Sequence, residues 1–251
     1  MAWLLFLLSP FAFSAPQIML IMDDIGYRHT DRAALALPKE VVFSILPATP
    51  LAQELAYEAN AQGRDVMLHL PMEALNGKAL GPQGLQAGMF PSAISETFSV
   101  AIDSVPFAIG VNNHMGSRLT QEAAPMLALM QEIKARDLFF IDSRTTVNSV
   151  AEQIATDIGL PVVSRNVFID HTLTVESMKQ ALERLMTLAK QKGFAVGIAH
   201  PHPLTVSFLL DALPLLEKEN IRLVSANQYF KPATEMLAIE SSAPETNSAP
   251  Q

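Results

Sequence analysis

The sequence contains no cysteine, which excludes both a disulfide framework and a metal site built on thiolates. Any bound metal must therefore be held by carboxylates and by the six histidines. Basic residues are also few, since 17 Lys and Arg stand against 25 Asp and Glu, for a formal net charge of −8. Because binding to nucleic-acid phosphates needs a basic face, we exclude nucleic acid as a partner class.

No long apolar run marks a membrane span at the N terminus, because the run at residues 3–8 is far shorter than the roughly 20 residues that cross a bilayer. Small residues follow it at Ser14 and Ala15, as in a secretory signal, although Lys and Arg are missing before it. We expect residues 1–15 to be a signal peptide or N-terminal anchor and the protein to be exported to the periplasm or cell envelope. A buried first strand is the alternative.

The C-terminal stretch 233–251 is rich in Ser, Ala and Pro, and we predict that it is disordered. The globular domain is then expected over residues 16–232. Its 49% hydrophobic content allows a sizeable core. The sequence does not indicate an oligomeric state.

Within the domain, short apolar runs alternate with amphipathic segments. Helices are predicted from Thr49 to Gly63, from near Thr120, before Gly159, from 174 to 193 and after residue 205. The order of strand and helix with short connections predicts a parallel sheet, either open or closed into a barrel. A glycine-bearing loop at 71–90 is long enough to suggest a functional role. Strands are predicted at 18–22, 41–46, 65–70, 107–111, 138–141, 161–163, 194–199 and 221–224.

Polar side chains gather where the predicted strands end. In a parallel α/β fold, all of these ends lie on one side, where active sites are built. Any one of them has a plain structural explanation, such as a helix cap or a hydrogen bond to the backbone. Five strand ends carrying Asp or His are more than packing requires, so we expect them to converge on one pocket. The residues are Asp23, Asp24, His69, Asn112, Asn113, His114, Asp142, Arg144, His200 and His202.

The adjacent carboxylates Asp23 and Asp24 in "IMDDIGY" repel each other unless a cation lies beside them. One explanation is a divalent metal bound by one of them together with histidines, and zinc suits such ligands best. The other carboxylate is then free to act as a general base on water. The other explanation is that the pair caps the next helix.

The motifs "IMDDIGY", "HLPME", "GVNNHMGSR", "FFIDSRT" and "GIAHPHP", in this order, resemble the divergent polysaccharide deacetylases, relatives of the NodB-type carbohydrate esterases. The resemblance implies a distorted (β/α) barrel of about seven parallel strands. It also implies that Asp23 is the catalytic base, that Asp24 and His69 bind the metal, and that His200 is the general acid. The family's second metal histidine is replaced by Glu73. We prefer His114 as the third ligand, because imidazole suits zinc, and Glu73 is the alternative.

The resemblance implies metal-dependent hydrolysis of an N-acetyl or O-acetyl group on a cell-envelope polysaccharide or peptidoglycan-like glycan. Arg144 is expected either to orient Asp23 or to pair locally with Asp142. A glycan-binding or scaffolding protein of the cell envelope, with a degenerate pocket, is the alternative function. A glycoside hydrolase would need two carboxylates across a groove, which the clustered histidines disfavour. Substrate-contacting or metal-supporting roles are predicted for Glu73, Asn112, Asn113, Asp142, Arg144 and His202.

Overall fold

The computed structural model describes residues 15–230. The predicted signal or anchor segment, apart from Ala15, and the predicted disordered tail lie outside these residues. None of the helices in the described range combines the length and the apolar character needed to cross a membrane.

Within residues 15–230, nine strands and eight α-helices alternate, with 3₁₀ helices at His29–Ala36 and Leu119–Gln121. The strands are β1 (Gln17–Ile25), β2 (Val42–Ile45), β3 (Val66–Met72), β4 (Ala108–Met115), β5 (Phe139–Asp142), β6 (Val162–Ser164), β7 (Val167–Phe168), β8 (Phe194–Ala199) and β9 (Arg222–Leu223). The helices are α1 (Ala52–Ala61), α2 (Pro91–Asp103), α3 (Ala123–Ala135), α4 (Ala151–Asp157), α5 (Val175–Lys192), α6 (Pro203–Ala212), α7 (Leu215–Lys218) and α8 (Ala226–Phe230).

The strands form one parallel sheet in the order β6-β5-β4-β3-β2-β1-β8-β7, with β9 also paired to β1. The two end strands do not pair with each other along this path, so the curled sheet stays open between β6 and β7. The chain itself crosses the opening, because the Arg165 amide donates to Asp142 O in β5 and the Asn166 amide to Val196 O in β8. The predicted distorted (β/α) barrel is confirmed, with eight strands in the row rather than about seven.

Strand β1 is buried on both faces, which explains why its sequence is an unbroken apolar run. Ile18, Leu20 and Met22 pack with the helices in one core cluster. Met19 and Ile21 face the interior of the curled sheet in a second cluster. Because apolar side chains fill this interior, polar groups are left to its carboxyl-terminal rim.

All eight predicted strands are present, and several further elements, β7 and α2 among them, were not predicted. Strand β7 is only two residues long, too short to give a pattern. Helix α2 was missed although its signal is in the sequence: Pro91 stands in the first turn, and Ile94, Phe98 and Ala101 are buried at helical spacing.

Candidate active site

The Asp23-Asp24 pair lies inside β1, at a β-bulge, and not after the strand as predicted. Pairing with β2 moves from Met22↔Phe43 to Ile25↔Ile45, so one extra residue of β1 is accommodated there. Asp24 has φ of 58°, a left-handed conformation that Asp tolerates better than most residues. A regular strand would send neighbouring side chains to opposite faces, whereas a bulge re-aims one of them. Both carboxylates consequently reach the same rim of the sheet.

Asp24 meets two histidines from neighbouring strands. Its Oδ1 lies 3.1 Å from His69 Nε2 and 2.8 Å from His114 Nδ1, and these two nitrogens are 3.2 Å apart. One ligand atom from each residue lies within 4.8 Å of the others. Asp24, His69 and His114 thus converge, as the sequence predicted. The pairing of β3 with β4, which sets Pro71 beside His114, contributes to this convergence.

Asn112 connects the triad to Asp23 and determines how both are oriented. Its Nδ2 donates to Asp23 Oδ1 over 2.8 Å, and its Oδ1 lies 2.6 Å from His69 Nδ1. Since an ionised carboxylate only accepts, the amide oxygen must face the histidine, and His69 Nδ1 must carry the hydrogen. Ser44 Oγ also donates to Asn112 Oδ1 and fixes the amide further. His69 Nε2 therefore carries the lone pair that a metal needs whenever this imidazole is neutral.

Burial and charge give the two carboxylates different proton affinities. Burial raises the pKa of Asp23, more than the charges of His69 and His200 and the bond from Asn112 lower it. Burial also acts against the charged form of Asp24, but hydrogen bonds from His114 and His69 hold the pKa of that carboxyl well below its usual range. Asp24 is thus a permanent anion, as a metal ligand requires, and Asp23 has the higher proton affinity suited to a base.

Burial and the two carboxylates also shift the pKa of His69. Burial disfavours its imidazolium, but the charge of Asp23 and the bond and charge of Asp24 outweigh burial and raise the pKa of His69. The metal-free site therefore favours a proton on this ring, and binding a cation must release it.

His200 follows β8 and is held by Asp170, which follows β7. Its Nδ1 lies 2.9 Å from Asp170 Oδ1, and its backbone amide donates to Asp170 Oδ2, which also accepts from Thr205 Oγ1. Burial lowers the proton affinity of His200, but Asp170 and the charges of Asp23 and Asp24 outweigh it and raise the pKa of His200 to about 9. His200 is therefore protonated at neutral pH, and its Nε2 is not used by the contact with Asp170.

A cavity of about 500 Å³ opens beside these groups and is large enough for a sugar-sized ligand. Its lining includes Asp24 and His114 of the triad together with His200, His202 and Arg28. His202 stands at the N-cap of α6, and its ring centroid is 6.2 Å from that of His200.

Three of the predicted supporting residues have contacts within their own loops. Glu73, the alternative third ligand, accepts a hydrogen bond from the Ala87 amide. Asp142 accepts from the Arg144 amide and from Ser149 Oγ, which organises the loop after β5. The Arg144 guanidinium lies 3.5 Å from Glu152 in α4, and its charge acts on Asp142, so Arg144 interacts locally and does not pair with Asp23.

Asn113, next to Asn112, turns to the opposite side and has a structural role. It donates to Met115 O and accepts from the Ser143 amide, and it is almost completely buried. This amide therefore joins β4 to the end of β5 and supports the rim.

Sequence reasoning missed two residues near the site. Asp170 was not assigned to the site, because its partner His200 lies 30 positions away. Arg165 lies in the segment that crosses the barrel opening. The charge of Asp23 favours its charged form, and its Nε donates to Ser143 O. No local sequence signal distinguishes Arg165, since its position depends on the closing of the sheet.

The donor set fits a divalent metal. Two imidazole nitrogens and one carboxylate converge, and three such protein ligands are typical of a catalytic zinc site with an open position. The hydrogen bond at His69 Nδ1 supplies the outer support that metal-binding histidines normally have.

The sequence is similar to those of known proteins. The sequence model of a family described as "Divergent polysaccharide deacetylase" matches residues 20–230. An uncharacterized protein of Haemophilus influenzae is 34% identical over 226 residues, covering 90% of this chain and 80% of that protein.

Two solved structures share the fold. An uncharacterized protein from Agrobacterium tumefaciens C58 superposes with a TM-score of 0.83 at 22% identity, covering 86% of this chain and 89% of that one. The catalytic domain of a peptidoglycan N-acetylglucosamine deacetylase from Eubacterium rectale superposes with a TM-score of 0.54 at 14% identity, covering 84% and 88%.

Proposed function

Since the chain belongs to the divergent polysaccharide deacetylase family, we propose that it hydrolyses acyl amide groups on a glycan of the cell envelope, using a divalent metal, with zinc the best match to the ligands. An acetylated peptidoglycan-like glycan is the substrate class that we propose, with the protein exported to reach it. The observation that carries the proposal is the convergence of Asp24, His69 and His114, with the buried carboxylate of Asp23 3.7 Å from His69 and with His200 in the wall of the same cavity as Asp24 and His114.

Asp24, His69 and His114 would hold the metal. A divalent cation there supplies Lewis-acid polarisation of a carbonyl oxygen and lowers the pKa of water towards ~7.

Asp23 accepts a proton from the attacking water as the water oxygen bonds to the acyl carbon. Burial raises the pKa of Asp23, which makes it a stronger base than a solvated aspartate. The Asn112 amide donates to Oδ1 of Asp23 and leaves its other oxygen, Oδ2, on the side of His69, 3.7 Å from Nε2. The base is therefore held beside the metal ligands.

His200 donates a proton to the nitrogen as the C–N bond breaks. Asp170 holds Nδ1 and orients the ring, so the proton comes from Nε2. With a pKa raised to about 9, His200 is charged at neutral pH and able to act as a general acid. The products are a carboxylic acid and a free amine.

The experiment is acid release from acetylated peptidoglycan fragments by the purified, zinc-loaded protein, compared with the same protein after chelation. We expect acetate from the loaded protein and none after chelation, with activity restored by added zinc. If the loaded protein binds these fragments but releases no acid, the hydrolase proposal is wrong and the protein is a glycan-binding member of the family.

A further inference from the structure

We propose that the active site accepts acyl groups larger than acetyl, and that a second cavity beside Gly81 binds the acyl chain. This inference rests on the proposed hydrolase function and specifies its substrate class as N-acyl sugars with acyl groups of about three to six carbons.

The second cavity has a volume of about 220 Å³ and adjoins the first. Tyr27, Leu46 and His114 line both cavities and form the border between them. The rest of the second cavity comes from Pro71 in β3, from Pro47, and from loop residues 79–82. His200 and His202 line only the first cavity.

The chemistry assigns one side of the scissile bond to each cavity. The acyl carbon carries the leaving nitrogen and the acyl chain as separate substituents, which point apart. The nitrogen must face its proton donor, His200, so the sugar occupies the first cavity. The acyl chain then extends in the other direction, past His114, and enters the cavity beside Gly81.

The cavity is too large for the methyl of an acetyl group alone. A group of the size of a water molecule occupies roughly 30 Å³, so the space holds several carbon atoms but not a long fatty chain. Its side chains are mainly aliphatic, from Leu46, Leu80 and three prolines, while the Tyr27 phenol adds a polar group. A short acyl chain would therefore displace water from the aliphatic side chains of this lining.

The reaction balances as an ordinary amide hydrolysis at every chain length. One C–O bond forms between water and the acyl carbon, and the C–N bond breaks. One water proton passes to Asp23, and the His200 proton passes to the amine. The chain leaves as a short carboxylic acid.

Gly81 offers a direct way to fill the cavity. A Cβ there would lie 3.5 Å from Tyr27 Oη and 3.7 Å from Pro71 Cγ, which are ordinary contacts with two lining residues. Gly81 does not have a left-handed φ, so a larger residue causes no backbone strain. Gly88 is a matched control in the same loop, because its Cβ would have no neighbour within 4 Å and its φ is also unrestricted.

The test measures kcat/KM of the zinc-loaded protein on N-acetyl, N-propionyl, N-butyryl and N-hexanoyl chito-oligosaccharides. We expect kcat/KM to rise up to about fourfold per added methylene while the cavity fills, the factor given by burying one methylene. Gly81→Val should lower the butyryl and hexanoyl values at least tenfold and the acetyl value less than twofold. Gly88→Val should follow the wild type on every substrate.

A binding series separates this inference from the proposed function. Acetohydroxamate, butyrohydroxamate and hexanohydroxamate are titrated calorimetrically into the loaded wild type, Gly81→Val and Gly88→Val. Tighter binding with chain length, lost only in Gly81→Val, supports the cavity even if no amide is hydrolysed, in which case the proposed function alone is wrong. Hydrolysis confined to acetyl, no length dependence in binding, or an equal loss on all substrates in Gly81→Val would overturn the inference.

Discussion

The substitution Asn112→Asp separates the two tasks of the buried amide. The new side chain keeps an oxygen for Ser44 Oγ and His69 Nδ1, so it preserves the support of the metal ligand. It replaces the Nδ2 donor, 2.8 Å from Asp23 Oδ1, by a carboxylate oxygen. A stabilising contact to the ionised base thus becomes a repulsive one.

The size of the effect follows from that contact. A hydrogen bond to a charged group contributes about 1.5–3 kcal/mol, and its loss disfavours the ionised base by about 10- to 100-fold. We expect the pKa of Asp23 to rise and kcat/KM at pH 7 to fall by up to this factor, because a protonated Asp23 cannot accept a proton. The acid limb of the pH–rate profile should move to higher pH, with zinc affinity close to that of the wild type.

Two further variants complete the assay. Asn113→Asp buries a carboxylate one position along the same strand, away from Asp23, and should lower stability without moving the acid limb. Asn112→Leu removes the acceptor of His69 Nδ1 as well, and should weaken zinc binding by roughly 10- to 100-fold, the usual effect of losing such a contact. An unchanged pH profile in Asn112→Asp would show that Asn112 does not control the base.

In the metal-free protein, an NMR titration should give His200 a pKa of about 9, against 6.5 for an ordinary histidine. Because the pKa of His200 is higher in the folded than in the unfolded protein, the stabilisation from this proton is complete below the ordinary pKa and is lost as pH rises through about 9. Asp170→Asn should lower the pKa of His200 and flatten this dependence of the free energy of unfolding on pH. Gly26→Ala should lower the free energy of unfolding, measured by chemical denaturation, by about 2–5 kcal/mol. The cost combines backbone strain with overpacking, because Gly26 has φ of +129° and a Cβ would lie 2.2 Å from Thr49 Oγ1. The control Gly63→Ala has φ of +70° but no neighbour within 4 Å, so a cost as large as that of Gly26→Ala would contradict the packing argument.

The strands, their parallel arrangement and the residues of the rim were accessible from the sequence, because buried parallel strands are unbroken apolar runs and polar residues at their ends stand out. Asp24, His69 and His114 were each recognisable in this way. What brings Asp23 and Asp24 to the same side was not, since a β-bulge depends on the pairing of β1 with β2. A one-dimensional pattern does not contain that register.

The supporting contacts were predicted less well, because they join residues far apart along the chain. Asn112 reaches Asp23 over 89 positions, and His200 reaches Asp170 over 30. Asp142 and Arg144 are of residue types typical of active sites, but their contacts lie in the loop after β5 and with Glu152 in α4. Only the fold distinguishes such local contacts from a role in the site.

The comparison of Asp23→Asn with Asp24→Asn, each assayed for bound zinc and for acid release, tests the central claim most directly. Asp24→Asn should lose most of its zinc, because the variant removes the anionic member of the triad. Asp23→Asn should keep its zinc and its fold but lose about 10²–10⁴ in rate, the usual effect of removing a general base. An Asp23→Asn protein that releases acid as fast as the wild type, at equal zinc content, would contradict the account.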